Sequence, residues 1–319
     1  MRKYILKRIL LAVVTIYVIM TLTFFIMHSI PGTPFKMGND SLSEDTIAVL
    51  MERYGLDQPL YRQYFKYIGN IFRGDFGVST SNGYRSVSDI IKTSFPVSAD
   101  LGIRALIFGT VAGILLGITS ALHRGKPVDH MSTVIAIIGI SVPSFVLGTV
   151  LQTILGLGLS RWVKLIFNTE YQLFPIARWE SFRYTLIPSF VLGMGTVAGL
   201  ARLMRTSMLD VIDQDYVKTA KSKGISNRAI VWKHEVRNAM MPVVTVLGRM
   251  IGGVVTGSYI IESQFAIPGL GKYLVNSISS RDYTMTMGLT VFYSIFIVGS
   301  MLLVDILYCV VDPRVRLTK

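Results

Sequence analysis

Cysteine is all but missing from this chain. The one thiol in 319 residues, Cys309, falls inside an apolar run, which excludes an intramolecular disulfide. The 4 histidines are scattered, with no carboxylate or thiol at ligand spacing, so no metal site is read from them. No G-x-x-x-x-G-K-[S/T] stretch is present to cradle nucleotide phosphates. Within the apolar segments there is no Ser/His pair, paired Asp or metal-ligand set, which argues against an intramembrane enzyme. Charge is thin as well: 16% of residues are Asp, Glu, Lys or Arg, against 51% hydrophobic and a mean hydropathy of +0.52. That hydropathy is above the soluble range and points to a membrane.

What is abundant is apolar sequence in long blocks. Six stretches, residues 9–30, 97–122, 131–157, 184–203, 240–261 and 286–311, are long enough to cross about 30 Å of hydrocarbon, which takes roughly 20 helical residues. Backbone exposed to lipid must satisfy its own hydrogen bonds, so these are expected to be helices, and the fold class is an all-α membrane protein with six transmembrane helices. The net charge of +13 would suggest nucleic acid on a soluble fold. Here nearly all the excess lies at the N-terminus, the second and fourth connections and the C-terminus. The positive-inside rule therefore sets the orientation as N-in, C-in, with no nucleic-acid partner. Arg2, Lys3, Lys7 and Arg8 imitate the n-region of a signal peptide, but the following run is too long and lacks a small-x-small cleavage site, so a retained first helix is expected.

The longest connection, residues 31–95, has helix punctuation. Ser41 to Glu44 reads as a capping box opening a helix that stops at Gly55. Pro59 suits the first turn of a second helix, with Leu60, Tyr64, Tyr67, Ile68, Ile71 and Phe72 on one face and Gly74 as its stop. Packing against the bundle or the membrane interface is the simpler role for these helices. Gly109/Gly113/Gly117, Gly195/Gly199, Gly248/Gly252 and Gly253/Gly257 form small-residue ladders that let helices approach closely. Pro143 and Pro188 interrupt two spans and predict kinks. Arg249 lies inside the fifth span, where a charge costs at least about 2.5 kcal/mol and must face protein or water. It reads either as a pathway residue for an anionic group or as half of a fixed ion pair.

The richest stretch is 215–242, D-Y-V-K-T-A-K-S-K-G-I-S-N-R-A-I-V-W-K-H-E-V-R-N-A-M-M-P, polar and basic between two spans. Asp210, Asp213 and Asp215 favour a helix start, and Gly224 fits a stop after Lys218, Lys221 and Lys223. Ser226 is placed to cap a second helix whose stripe is Ala229, Trp232, Val236, Ala239 and Met240. Two short helices joined by a glycine elbow and running into a span can fit a partner's groove and transmit displacement.

This segment resembles the EAA loop of permease subunits of ATP-binding-cassette importers. Lys218-Thr219-Ala220 and Gly224 match the alanine and glycine of that pattern but not its glutamate. The departure itself resembles the oligopeptide, dipeptide and nickel branch, with its D-Y-x-x-T-A-x-x-K-G and R-N-A-x-x-P. Y-G-L-D-Q-P-L-Y-R-Q-Y from Tyr54, G-D-F-G-V-S from Gly74, I-S-V-P-S-F, F-A-I-P-G-L-G from Phe265, R-D-Y from Arg281 and D-P-R-V-R from Asp312 also resemble that branch's B-type permease.

The resemblance implies a type I importer permease fold in the bacterial inner membrane. Its expected divisions are residues 1–30, 31–95, a core over 96–311 with a coupling loop at 205–239, and a tail at 312–319. Asp215, Tyr216, Val217, Thr219, Ala220, Lys221, Lys223 and Gly224 are expected to dock in a cleft of an ATPase, and Arg249, Pro143, Pro268, Gly269 and Leu270 to line the pathway or an outer gate. The implied partners are a second, C-type permease, two ATPase subunits, an extracytoplasmic peptide-binding protein and membrane lipid. ATP and magnesium would sit on the ATPases, so this chain is expected neither to bind a cofactor nor to be an enzyme. Oligopeptides or dipeptides are the implied cargo; nickel chelates, opines, glutathione and antimicrobial peptides are the alternatives. A secondary transporter is the rival from another class, but Asp100 and Asp305 lie near span ends and no inverted repeat stands out.

Overall fold

The computed structural model describes residues 2–30, 45, 48–49, 51–52, 55–169 and 172–311. The described residues are helical apart from turns, loops and one isolated bridge between Val78 and Ser86. They form two compact units: Met1–Val97 with Gly269–Lys319, and Ser98–Pro268.

In the first unit, α1 (Arg2–Ser29) lies along α13 (Tyr283–Val311), and Arg8 reaches Asp305 at 3.0 Å. Helix α2 (Leu60–Phe72) packs on the C-terminal end of α1, where Phe24 meets Tyr64 and Tyr67 at ring distances of 5.3 and 5.6 Å. Tyr64 Oη lies 2.8 Å from Thr21 Oγ1, and His28 Nε2 lies 3.1 Å from Gln63 Oε1. Pro59, expected in the first turn, is instead the N-cap just before this helix, whose end is closed by the Gly74 and Asp75 amides donating to Ile71 and Asn70, at the stop the sequence predicts. The predicted face is corrected at its edges: Leu60 and Phe72 are exposed, while Tyr64 and Tyr67 pack against the cluster of Phe24, Met27, Tyr283 and Met287. The predicted capping box at Ser41–Glu44 lies outside the described residues; Gly55, where that helix was expected to stop, has φ +70°.

The loop before α3 (Val87–Leu122) is tied to the start of α13 by one buried carboxylate, Asp282. It accepts from Ser79 Oγ (2.6 Å), Ser81 N (3.0 Å), Ser81 Oγ (2.9 Å) and Met285 N (3.0 Å). Helix α3 therefore begins within the expected external segment. Val87, Ile90 and Ile91 bury against Leu270, Met285 and Leu289, next to α12 (Gly271–Ser279).

The division between units falls within α3. In the second unit the rest of α3 lies against α7 (Phe182–Ile212). A Cβ on Gly109 would stand 2.8 Å from Gly193 O, on Gly113 2.9 Å from Val197 O, and on Gly117 2.7 Å from Ala201 O. That ladder is used. In the others, Gly195 and Gly253 face open space, and Gly257, at φ +79°, ends a helix.

Helix α4 (Pro127–Ser141) also packs on α7 and stops before Pro143, the residue preceding α5 (Ser144–Leu151). A π-helical turn (Gln152–Gly158) and α6 (Leu159–Phe167) follow. The third predicted span is thus broken at Pro143, whereas α7 runs unbroken through Pro188. Among the described residues five stretches are long and apolar enough to cross a membrane: Ile5–Ser29, Val87–Leu122, Ser144–Phe167, Phe182–Ile212 and Tyr283–Ile306. The fifth predicted span is not among them. Its helix, α10 (Arg237–Val255), carries Asn238, Pro242 and Arg249 and ends before Gly257, leaving α11 (Tyr259–Gln264) as a separate turn.

Candidate functional site

Between α7 and α10 the chain forms α8 (Asp215–Ser222), α9 (Asn227–Ile230) and a π-helical stretch (Val231–Val236). Asp215 stands in the first turn of α8, where its charge suits the free amides, and it pairs with Lys218 at 3.1 Å on the solvent side. The Thr219 hydroxyl donates to the Asp215 carbonyl at 2.9 Å. At the other end the Gly224 amide donates to Lys221 O (3.0 Å) and the Ile225 amide to Ala220 O (3.3 Å). This Schellman closure places Gly224 at φ +74°, a conformation glycine adopts without the Cβ clash of other residues.

The burial pattern of α8 is one-sided. Val217 and Ala220 are buried against Ile230 and Val211. Asp215, Tyr216, Lys218, Thr219, Lys221 and Lys223 are exposed. Two small apolar side chains fix the helix to its own subunit, and its other side chains are exposed.

The second half differs from the periodic reading. Ser226 is at the N-cap but makes no side-chain capping bond. Trp232 is 54% exposed, while Ile230, Glu235, Val236 and Ala239 are buried. The π-helical stretch accounts for this: its i→i+5 pairing inserts an extra residue into the turn, so positions before it rotate off the stripe that continues along α10. Val236, Ala239 and Val243 then join Leu200, Met204 and Met208 of α7 and Ile118 of α3 in one core.

Beside this core, Asp129 in the first turn of α4 is 4% exposed. Arg205 grips it through Nε (2.8 Å) and Nη2 (2.9 Å), Ser120 Oγ donates to it, and the Gly125 amide donates at 3.0 Å. The guanidinium first, then the hydroxyl and the amide, hold this carboxyl well below the usual carboxylate range. The cluster clamps α3, α4 and α7 together ahead of α8. It was not singled out from sequence; the cue was an acid two residues after the proline that opens α4. Glu235, also missed, is buried with no hydrogen-bond partner for Oε2. Burial pushes its pKa up, and Lys221 partly offsets that.

The candidate gate residues are distributed rather than gathered into a site. Pro143 sits at the break before α5. In the second unit, Phe265 and Ile267 are buried at the end of α11, and the Ile267 amide donates to Glu262 O at 2.7 Å. Glu262, fully buried, accepts from Ser98 Oγ at 2.7 Å. Pro268 closes that unit and Gly269 opens the other, in which Leu270 is fully buried. The Arg249 side chain and the terminal D-P-R-V-R lie outside the described residues.

Residues 113–317 match the family described as "Binding-protein-dependent transport system inner membrane component", and residues 1–101 match its N-terminal counterpart. The chain is similar to the dipeptide transport system permease protein of Bacillus subtilis (strain 168), 42% identical over 100% of this chain and 99% of that one. It is 37% identical to the oligopeptide transport system permease protein of Haemophilus influenzae, over 99% of this chain and 100% of the relative. It is 35% identical to the glutathione transport system permease protein of Escherichia coli (strain K12), over 99% of each. Among solved structures, an amino acid ABC transporter shares the fold with a TM-score of 0.51 at 13% identity, over 69% of this chain and 93% of that one.

Proposed function

The chain belongs to the family of binding-protein-dependent transport system inner membrane components, and from that premise we propose that it forms half of the pathway of an ATP-driven importer of short peptides. A multi-pass inner-membrane permease is the level that family membership itself supplies. Peptide cargo is supported by full-length similarity to relatives named for dipeptide and oligopeptide transport. The glutathione relative favours a second reading within the same class, a γ-linked tripeptide as cargo.

The observation that carries the mechanism is the one-sided burial of α8. A helix of 8 residues held to its own subunit by Val217 and Ala220, and bare elsewhere, has the form of an insert for a partner's cleft. Because α7 is a single helix from Phe182 to Ile212, a displacement of α8 is delivered directly to a span. In the proposed cycle two ATPase subunits close on nucleotide and swing α8. The break at Pro143 and the turn around Pro268, Gly269 and Leu270 then take up the change between outward-open and inward-open states. An external binding protein delivers the peptide, and a second permease completes the pathway.

The test is uptake of radiolabelled dialanine into proteoliposomes holding this chain with its partner subunits and binding protein. Uptake should require ATP and persist when ion gradients are collapsed. Uptake driven by a gradient in the absence of ATP would overturn the assignment.

A further inference from the structure

On the side of the second unit that carries α8 there is a cavity of about 380 Å³. It opens between the end of α3, the end of α7, α8 and the α9–π stretch, and its size suits a small solute. Its charged members are Arg124, Asp213, Lys221 and Glu235, and the apolar Leu209 and Ile230 are also among the lining residues. Glu235 decides what such a cavity can hold. It is 3% exposed, yet Oε2 has no hydrogen-bond partner, and Lys221 acts on it through space rather than by a hydrogen bond. A buried carboxylate oxygen left unpaired is unfavourable unless a donor arrives from outside the chain.

The donor's chemistry follows from the other side chains. A simple cation would be repelled by Arg124 and Lys221, and a simple anion by Asp213 and Glu235. The two signs in one cavity suit a ligand carrying both, with a short apolar body against Leu209 and Ile230. We propose that this cavity binds a small zwitterion, an amino acid or a short peptide, with its ammonium on Glu235 and its carboxylate on Arg124 and Lys221. Bound there, the ligand would bridge α8 to the π-helical stretch and satisfy the unpaired oxygen. The import reading bears only on the ligand's source, since imported peptide would emerge on this side; the site's chemistry stands apart from it.

The experiment is isothermal titration of the intact complex in nanodiscs with dialanine, leucine, N-acetyl-dialanine and dialanine amide. The complex should bind dialanine about tenfold or more tightly than either blocked analogue, as charge-assisted hydrogen bonds imply. Glu235→Gln should bind dialanine and N-acetyl-dialanine alike. Arg124→Gln should lose the preference over dialanine amide while keeping the other preference. Leucine binding as tightly as dialanine would assign the site to free amino acids, and weaker leucine binding to peptides. No binding to the unaltered complex, or discrimination that survives Glu235→Gln, would overturn the proposal. A variant that has merely lost its fold binds neither analogue, and Arg124→Gln then decides. Failure of ATP-driven dialanine uptake would count against the import reading and leave these titrations unaffected.

Discussion

Asp129 and Glu235 are both carboxylates with almost no exposure, and the fold treats them oppositely. Asp129 receives an arginine fork, a hydroxyl and an amide, so its charged form is the favoured one. Its pKa lies below the unfolded value, so its contribution is present above the ordinary carboxylate range, about 4, and is lost only in stronger acid. Asp129→Asn should cost on the order of 2 kcal/mol, at the low end for a broken pair because Arg205 is 32% exposed. Tryptophan-fluorescence melting in detergent should show a gap to the unaltered protein that stays constant from pH 8 down to about 5. A gap that closes within that window would mean that the clamp is not what holds the ion. Glu235 has the reverse sign. Burial raises its pKa, so its stabilising share is whole below about 4.3 and is lost as pH rises through the raised value. Glu235→Gln should therefore gain stability relative to the unaltered protein as pH rises from 5 to 8, and a flat difference would contradict this. Neither carboxylate's surroundings could be read locally. The donors to Asp129 come from positions as distant as Ser120 and Arg205, and sequence periodicity says nothing about which helices bring them together.

Single elements were more legible. Helix stops at Gly74 and Gly224 follow from glycine's tolerance of positive φ, a local property, and both stand where the sequence puts them. Gly224→Leu places a side chain in open space but in a left-handed conformation, costing about 1–2 kcal/mol. The variant should insert into the membrane normally yet lose peptide uptake or association with the ATPase. Normal uptake with normal association would remove the elbow from the mechanism. Gly113→Leu should act differently, because even a Cβ would stand 2.9 Å from Val197 O and from Leu200 Cβ. It should prevent α3 from seating on α7, and the purified protein should melt far lower and aggregate. The equivalent change at Gly195, which has nothing within 4 Å, should be close to neutral. In sequence the two ladders look alike; the difference lies only in which face meets a neighbour. The same limit explains Trp232: a simple 3.6-residue period cannot anticipate the extra residue that the π-helical stretch inserts.

For the whole molecule, the candidate gate sets the sharpest condition. Leu270 is fully buried among Val87, Ile90, Ile91, Met285 and Leu289, so a gate built there must open by releasing a packed residue. A cysteine introduced at Leu270 should resist a membrane-impermeant maleimide at rest and become reactive while ATP is being hydrolysed. Protection throughout turnover would make it a static core position. Composition and the spacing of apolar runs were enough to establish a helical, multi-pass membrane protein, because insertion into lipid depends on properties summed along the chain. The motifs in the 215–242 segment were enough to indicate the family. Tertiary structure alone decided that α8 is anchored by just Val217 and Ala220, that the Gly109/Gly113/Gly117 ladder meets a neighbour while Gly195 does not, that the third span breaks at Pro143 while α7 runs on through Pro188, and that Glu235 is buried with an oxygen unpaired. Those outcomes depend on which surfaces meet, and pairing between helices far apart in the chain leaves no periodic trace in either one.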